Sequence, residues 1–267
     1  MAVASRAITN EPILLRGERD GVATLTLNRP GQYNALNEAL LAEFERALDS
    51  IGRDRAVRVV VIAGAGKAFC AGHDLKEMRA KPERAYYEDL FGRCSRMMMS
   101  IRHLPQPVIA RVHGIATAAG CQLVAASDLA VAARSARFAT SGIEAGLFCN
   151  TPGVAVARAV GRKHAMELLT TGRFIDAERA ERIGLVNRVV DDGELDRAVA
   201  EMTGAIANKS AAAIAQGKRT FYRQVELGLE DAYACASAAM AEGMMFEDAG
   251  EGIDAFIAKR PPVWRDR

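Results

Sequence analysis

Hydrophobic and polar positions divide the chain into two regimes. In the first, short apolar runs alternate with amphipathic stripes. "GVATLTLN" (Gly21 to Asn28) alternates as a half-buried strand does, and "RPGQYN" after it is turn chemistry. From Asn37, "NEALLAEFERALDSI" sets Leu40, Leu41, Phe44, Leu48 and Ile51 on one stripe, a spacing that predicts a helix with Asn37 as its cap. "VRVVVIAG" (Val57 to Gly64) is a continuous valine-rich run, the pattern of a strand covered on both faces. A helix follows over Glu83 to Arg102, then the buried strand "PVIARVHG", an alanine-rich helix after Gly120, and two short strands in "DLAVAA" and "ARFAT". In the second regime, beyond about Pro152, nearly everything reads as helix apart from "GLVNRVV" (Gly184 to Val190).

Buried valine runs joined by helices imply parallel pairing with right-handed crossovers, and hence an α/β fold. The pattern predicts a loose terminus over residues 1–12, a core over 13–209 and a helical region over 210–267. Met240, Met244 and Met245 fall at helical spacing in that last region, which fits core or subunit-interface packing better than a cofactor box.

Composition narrows the classes. Of 267 residues, 50% are hydrophobic and 25% charged, and the net charge is only +2. That balance is of a soluble globular protein and gives no extended footprint for nucleic acid. No segment approaches the roughly 20 apolar residues of a membrane span. The start, "MAVASRAITNEP", lacks a signal-peptide core, so a cytoplasmic protein is expected, although Ser5 and Arg6 leave a short transit segment open. The five cysteines (Cys70, Cys94, Cys121, Cys149 and Cys235) are scattered without a C-x-x-C pair, which predicts reduced, mostly buried thiols. His103, His113 and His164 show no H-x-x-x-H spacing and no acidic cluster, so no metal site is expected.

Two glycine-rich turns carry the candidate chemistry. "AGAGKAFCAG" fails as a phosphate loop, because Val61 stands where the first glycine belongs and Ala68 where Ser or Thr should follow Lys67. It fails as a dinucleotide loop because Phe69 occupies the third glycine position. What remains is a turn at Ala71 to Asp74, matched by another at Ala118 to Cys121 within "GIATAAGCQLVAASD". Each follows a strand and precedes a helix, so each can aim a free backbone N–H outward. Two convergent N–H groups form an oxyanion hole; read from spacing alone, both could equally be ordinary tight turns.

Taken together and in order, "RPGQYNALN", "GAGKAFCAGHDLKEM", "PVIARVHGIATAAGCQLVAASDLAVAA", "GLFCNTPGVAVARAVGRKHAMELLTTG", "AERIGLVNRVV" and "EGIDAFIAKR" resemble the crotonase (enoyl-CoA hydratase/isomerase) superfamily from about Ile13 to Trp264. The resemblance implies a spiral of ββα units, with a C-terminal helical oligomerisation region that builds trimers, often paired into hexamers. It implies an acyl-CoA substrate whose thioester carbonyl is held by two backbone amides, here those of His73 and Ala119, and no tightly bound cofactor, since coenzyme A is part of the substrate. The CoA-binding positions then fall on Ala35, Ala71, His73, Asp74, Leu75 and Lys76, with Phe256 and Lys259 reaching the nucleotide, sometimes across a subunit contact. Tyr86 and Tyr87 lie in the segment that covers the acyl pocket in the family, with packing as their default role.

The same resemblance exposes a departure. The two glutamates that hydratases of the family use to manage water and the α-proton align with Gln122 and Gly142. A positioned acid or base contributes about 10²–10⁴-fold, so hydration should be severely weakened while backbone donors survive. Glu144, two residues past Gly142, is one substitute if its loop rearranges, and an exposed loop residue otherwise. Thr140 and Ser141 could ligate an external anion serving as base, as glycine-bearing naphthoate synthases of the superfamily borrow bicarbonate. Cys149 has no identifiable histidine partner as a nucleophile, and Asn150 cannot move a proton. Two readings therefore stand: an enolate-forming lyase or isomerase, and a catalytically weak homologue that binds acyl-CoA.

Overall fold

The valine-rich runs become the centre of a twisted sheet. In the computed structural model, which describes residues 11–267, strands β1 (Leu14–Arg19), β2 (Val22–Leu27), β3 (Val59–Gly64), β4 (Ala68–Cys70), β5 (Val108–Val112), β6 (Ile115–Thr117), β7 (Leu129–Ala133), β8 (Arg137–Ala139), β9 (Ile175–Asp176) and β10 (Arg188–Val190) form two sheets. The larger has the order β1-β2-β3-β5-β7-β10 and the smaller β4-β6-β8-β9. Only the edge pairs β1–β2 and β8–β9 are antiparallel. The expected loose terminus lies, up to residue 10, outside the described residues.

Helices complete the repeat. They are α1 (Glu38–Gly52), α2 (Leu75–Ala80), α3 (Arg84–His103), α4 (Ala119–Ala126), α5 (Asn150–Ala159), α6 (Arg162–Thr171), α7 (Ala177–Arg182), α8 (Leu195–Ala207), α9 (Ala211–Gln224), α10 (Leu229–Gly243) and α11 (Glu247–Ile257). Three successive strand pairs, β3/β4, β5/β6 and β7/β8, each give one strand to the large sheet and the next to the small one before turning into helix. This is the ββα spiral expected above. The sequence pattern missed β1, β4 and β9 as strands and did not separate β6 from the run of β5.

The all-apolar run of β3 has a plain cause. Val60 and Ile62 face the main core with Leu40, Phe44 and Phe138, while Val59 and Val61 face a second cluster under α8, with Leu195, Ala198 and Val199. Both faces are covered, so no polar alternation survives. The stripe of α1 is buried as its spacing requires, and Asn37 caps the helix by accepting from the Leu40 amide at 3.0 Å.

Helix α9 is fastened to the core by charge rather than by apolar burial. The Lys218 ammonium donates to the Ile101 and Gln106 carbonyls at 3.0 Å and to Asp128 at 2.6 Å, and Tyr222 donates to the same carboxylate at 2.7 Å. Neither α9 nor α10 buries any residue of its own. Met240, Met244 and Met245 are exposed, so they are not core of this chain. All five cysteines are free, and all but Cys235 are buried.

Candidate active site

The two turns singled out in the sequence end β4 and β6, neighbours in the small sheet. The first is fixed from beneath by Asn34, fully buried, whose amide donates to the carbonyls of Ala65, Ala68 and Phe69. Residues 33–36 then run beside residues 71–74. Ala71 donates to the Tyr33 carbonyl at 3.0 Å, Leu36 to Gly72 at 2.7 Å, and Asp74 to Leu36 at 3.0 Å. In this parallel bridge Leu36 bonds the two residues flanking its partner, donating to Gly72 and accepting from Asp74, so the amide of His73 itself points away from the strip.

The second turn is built on an uncommon backbone. Ala118 sits at φ 50°, ψ −119°, a conformation ordinarily left to glycine. Its own amide donates to the Ala139 carbonyl at 3.0 Å, and the next residue, Ala119, opens α4. Gly120 follows so close to β4 that a Cβ there would lie 2.0 Å from the Cys70 carbonyl oxygen. Gly72, at φ +92°, presses the first turn onto the second; a Cβ on it would lie 3.2 Å from the Ala119 nitrogen. Among the described residues, neither the His73 nor the Ala119 amide donates to any acceptor. Two free donors on adjoining turns can hold a developing negative charge.

Around the first turn, one residue does work that the sequence reading did not assign. Arg29 donates to the Ala35 carbonyl and, at 3.0 Å, to Asp74, while Asp74 accepts from the Lys76 amide at 3.2 Å and the Glu77 amide at 3.4 Å as cap of α2. Burial pushes the Asp74 carboxyl up, but Arg29 and the helix amides hold it below its ordinary value. Ala35 is buried, whereas Leu75 and Lys76 are exposed, Lys76 with no acidic partner among the described residues. The His73 ring packs edge-on against Phe91, 5.5 Å between centroids, and neither ring nitrogen has a partner. Burial pulls this imidazole down to about 4; the Leu36 carbonyl opposes the shift but lies outside hydrogen-bond geometry. It is neutral at pH 7.

Gln122, one turn into α4, is buried, with its carbonyl oxygen unpaired. Gly142 occupies a space closed to side chains: a Cβ there would lie 2.6 Å from the Leu147 carbonyl oxygen and 2.7 Å from the Cys149 sulfur. Glu144 is exposed and runs over Gly172 at the end of α6, where a Cβ on Gly172 would lie 3.2 Å from its carboxylate. The Ser141 hydroxyl is engaged with Thr117 at 2.6 Å, and Thr140 is buried with its hydroxyl unpaired. Burial raises the Cys149 thiol, against a nucleophilic role. His113 bonds the Gly66 carbonyl at 2.9 Å, and Tyr87 donates to the Met78 carbonyl at 3.1 Å. No cluster of metal-ligating side chains occurs among the described residues, and no helix is long and apolar enough to cross a membrane. Phe256 lies at the exposed end of α11 and Lys259, also exposed, two residues beyond that helix.

This chain belongs to the enoyl-CoA hydratase/isomerase family, whose family model matches residues 17–267. Within that family it is similar to enoyl-CoA hydratase domain-containing protein 3, mitochondrial: 43% identical to the rat protein over 247 residues, covering 92% of this chain and 82% of that one. The crystal structure of the human domain-containing protein 3 superposes with a TM-score of 0.92 at 42% identity, covering 95% of this chain and 100% of that one. A crystal structure of an enoyl-CoA hydratase from Mycobacterium smegmatis superposes at 0.94 with 58% identity, covering 95% and 99%. The spiral fold is thereby that of the family. The rat and human proteins carry "mitochondrial" in their names, which does not match the cytoplasmic expectation.

Proposed function

We propose that this protein binds an acyl-CoA thioester and stabilises its enolate between the amides of His73 and Ala119. The single observation that carries the reading is the pair of unbonded amides brought together where Gly72 meets the Ala118–Ala119 turn. In this reading, coenzyme A enters as part of the substrate. Its pantetheine passes Ala35, and its adenine side lies along Ala71, His73, Asp74, Leu75 and Lys76, with the unpaired Lys76 ammonium near the phosphates. Phe256 and Lys259 contribute from a neighbouring subunit. Support for a trimer, or a dimer of trimers, comes from the apolar side chains that α10 and α11 leave exposed, among them Leu229, Tyr233, Met240 and Phe256.

Enoyl-CoA hydration is the nominal reaction, yet the positions of both usual glutamates are held by Gln122 and Gly142. Glutamine offers no proton near neutrality, and the closed space at Gly142 admits no carboxylate without moving residues 147–149. That observation favours a second reading, in which the protein binds acyl-CoA and turns it over weakly, or carries out a different enolate reaction such as isomerisation. Exchange of the substrate α-proton into deuterium oxide separates the two. Measurable exchange with a short saturated acyl-CoA supports enolate formation whatever the product; binding without exchange across several chain lengths assigns the protein to binding alone.

A further inference from the structure

Behind Gln122 a cleft of about 1030 Å³ opens between α3, α4, α5 and α9. Each of three helices turns one face to it: Met98 and Met99 on α3, Val154 on α5, and Arg219 and Arg223 on α9. The floor is apolar and the rim is cationic. Of the two acids in its wall, Asp128 is taken up by Lys218 and Tyr222, and Glu226 is shared between Arg102 and Arg158 at 3.2 Å each. Arg219 and Arg223, one turn apart, have no acidic partner among the described residues. The inner wall holds the buried, unpaired carbonyl of Gln122. Gln122 stands three residues beyond Ala119 in the same helix, about 4.5 Å along its axis.

We propose that this cleft receives the acyl chain of the substrate, and that the chain is long and ends in a carboxylate. The inference rests on the acyl-CoA reading above and specifies its substrate class. A chain leaving a thioester held at Ala119 would pass Gln122 within about one helical turn and enter a space far larger than a short acyl group fills. Methionine and valine side chains match the methylene run, and two unpaired guanidinium groups at i and i+4 match a terminal carboxylate, which arginine binds by paired hydrogen bonds. Both arginines are exposed, so a plain alkyl end would leave them to solvent and draw no binding from them.

Calorimetric titration of the full chain with three saturated thioesters tests this: butyryl-CoA, dodecanoyl-CoA and the mono-CoA ester of dodecanedioic acid. The dodecanedioic ester should bind about tenfold more tightly than dodecanoyl-CoA. An Arg219→Gln, Arg223→Gln double variant should abolish that difference while leaving butyryl-CoA affinity unchanged. Equal affinity for all three thioesters overturns the cleft assignment and leaves acyl-CoA binding intact. Absence of binding by any of them overturns both. A double variant that changes the sedimentation coefficient but not the ranking of affinities makes the α9 face a contact between copies of this chain, and likewise overturns the proposal.

Discussion

Gly72 rests on Ala118: a Cβ on the glycine would lie 2.8 Å from the alanine's own Cβ. The contact joins the turn after β4 to the turn before α4, and it sets the separation of the two free amides. Gly72→Ala meets both a left-handed φ and this neighbour, so the turns must part. The expected outcome is a loss of about 10²-fold or more in α-proton exchange, with about 1–3 kcal/mol of stability lost. Exchange kinetics and denaturant unfolding of the same preparation measure both.

His73 gives the fold an acid-side weakness. Its folded value of about 4 lies below the roughly 6.5 of an unfolded histidine, so the unfolded chain takes up the proton first. The stabilisation is complete above about pH 6.5 and is lost as the pH falls toward 4. Between pH 7 and pH 4.5 the loss should be about 2–3 kcal/mol. His73→Phe keeps an aromatic ring against Phe91 and should remove this part of the pH dependence, as read from urea midpoints at the two pH values.

Restoring carboxylates should succeed at one position and fail at the other. Gln122→Glu puts a carboxyl group where an unpaired carbonyl now stands, and should raise exchange by about 10²-fold at alkaline pH, where the buried acid ionises. Gly142→Glu should instead lower stability by about 1–3 kcal/mol without a gain in exchange, because the Leu147 carbonyl and the Cys149 sulfur already fill the space of its Cβ. Pre-steady-state exchange and thermal melting of the two variants check the contrast.

The Lys218–Asp128 pair should behave as a clasp on α9. Lys218→Met leaves the Asp128 carboxylate with only the Val108 amide and the Tyr222 hydroxyl, and should cost about 3–5 kcal/mol. Adding Asp128→Asn should recover part of it, since a buried charge is then no longer stranded. Hydrogen exchange should show the loss concentrated in α9, whose apolar burial is slight.

Local pattern carried the fold far, for reasons visible in single elements. The stripe of α1 and its Asn37 cap depend only on neighbours within one helix, and β3 is apolar because clusters lie on both its faces; such causes are written in contiguous residues. Strands β4 and β9, with three and two residues, are too short to show a period, and β1 exposes most of its side chains. The two turns were legible as glycine-rich junctions, and their roles came from resemblance. Arg29 was not legible, because its carboxylate partner Asp74 is 45 residues away and becomes a neighbour only once Asn34 has pinned the intervening loop. The cleft under α9 was hidden for the same reason: its walls come from four separated helices.

The left-handed backbone at Ala118 is stabilised by the Ala139 carbonyl and feeds straight into Ala119. Hydrogen-bond donors borne by the peptide chain itself survive any codon change that spares the loop's path. If the two amides hold a thioester oxygen as proposed, a lineage carrying this junction is free to exchange the surrounding side chains, and with them the partner that delivers or removes a proton, while the hold on the oxygen is inherited intact.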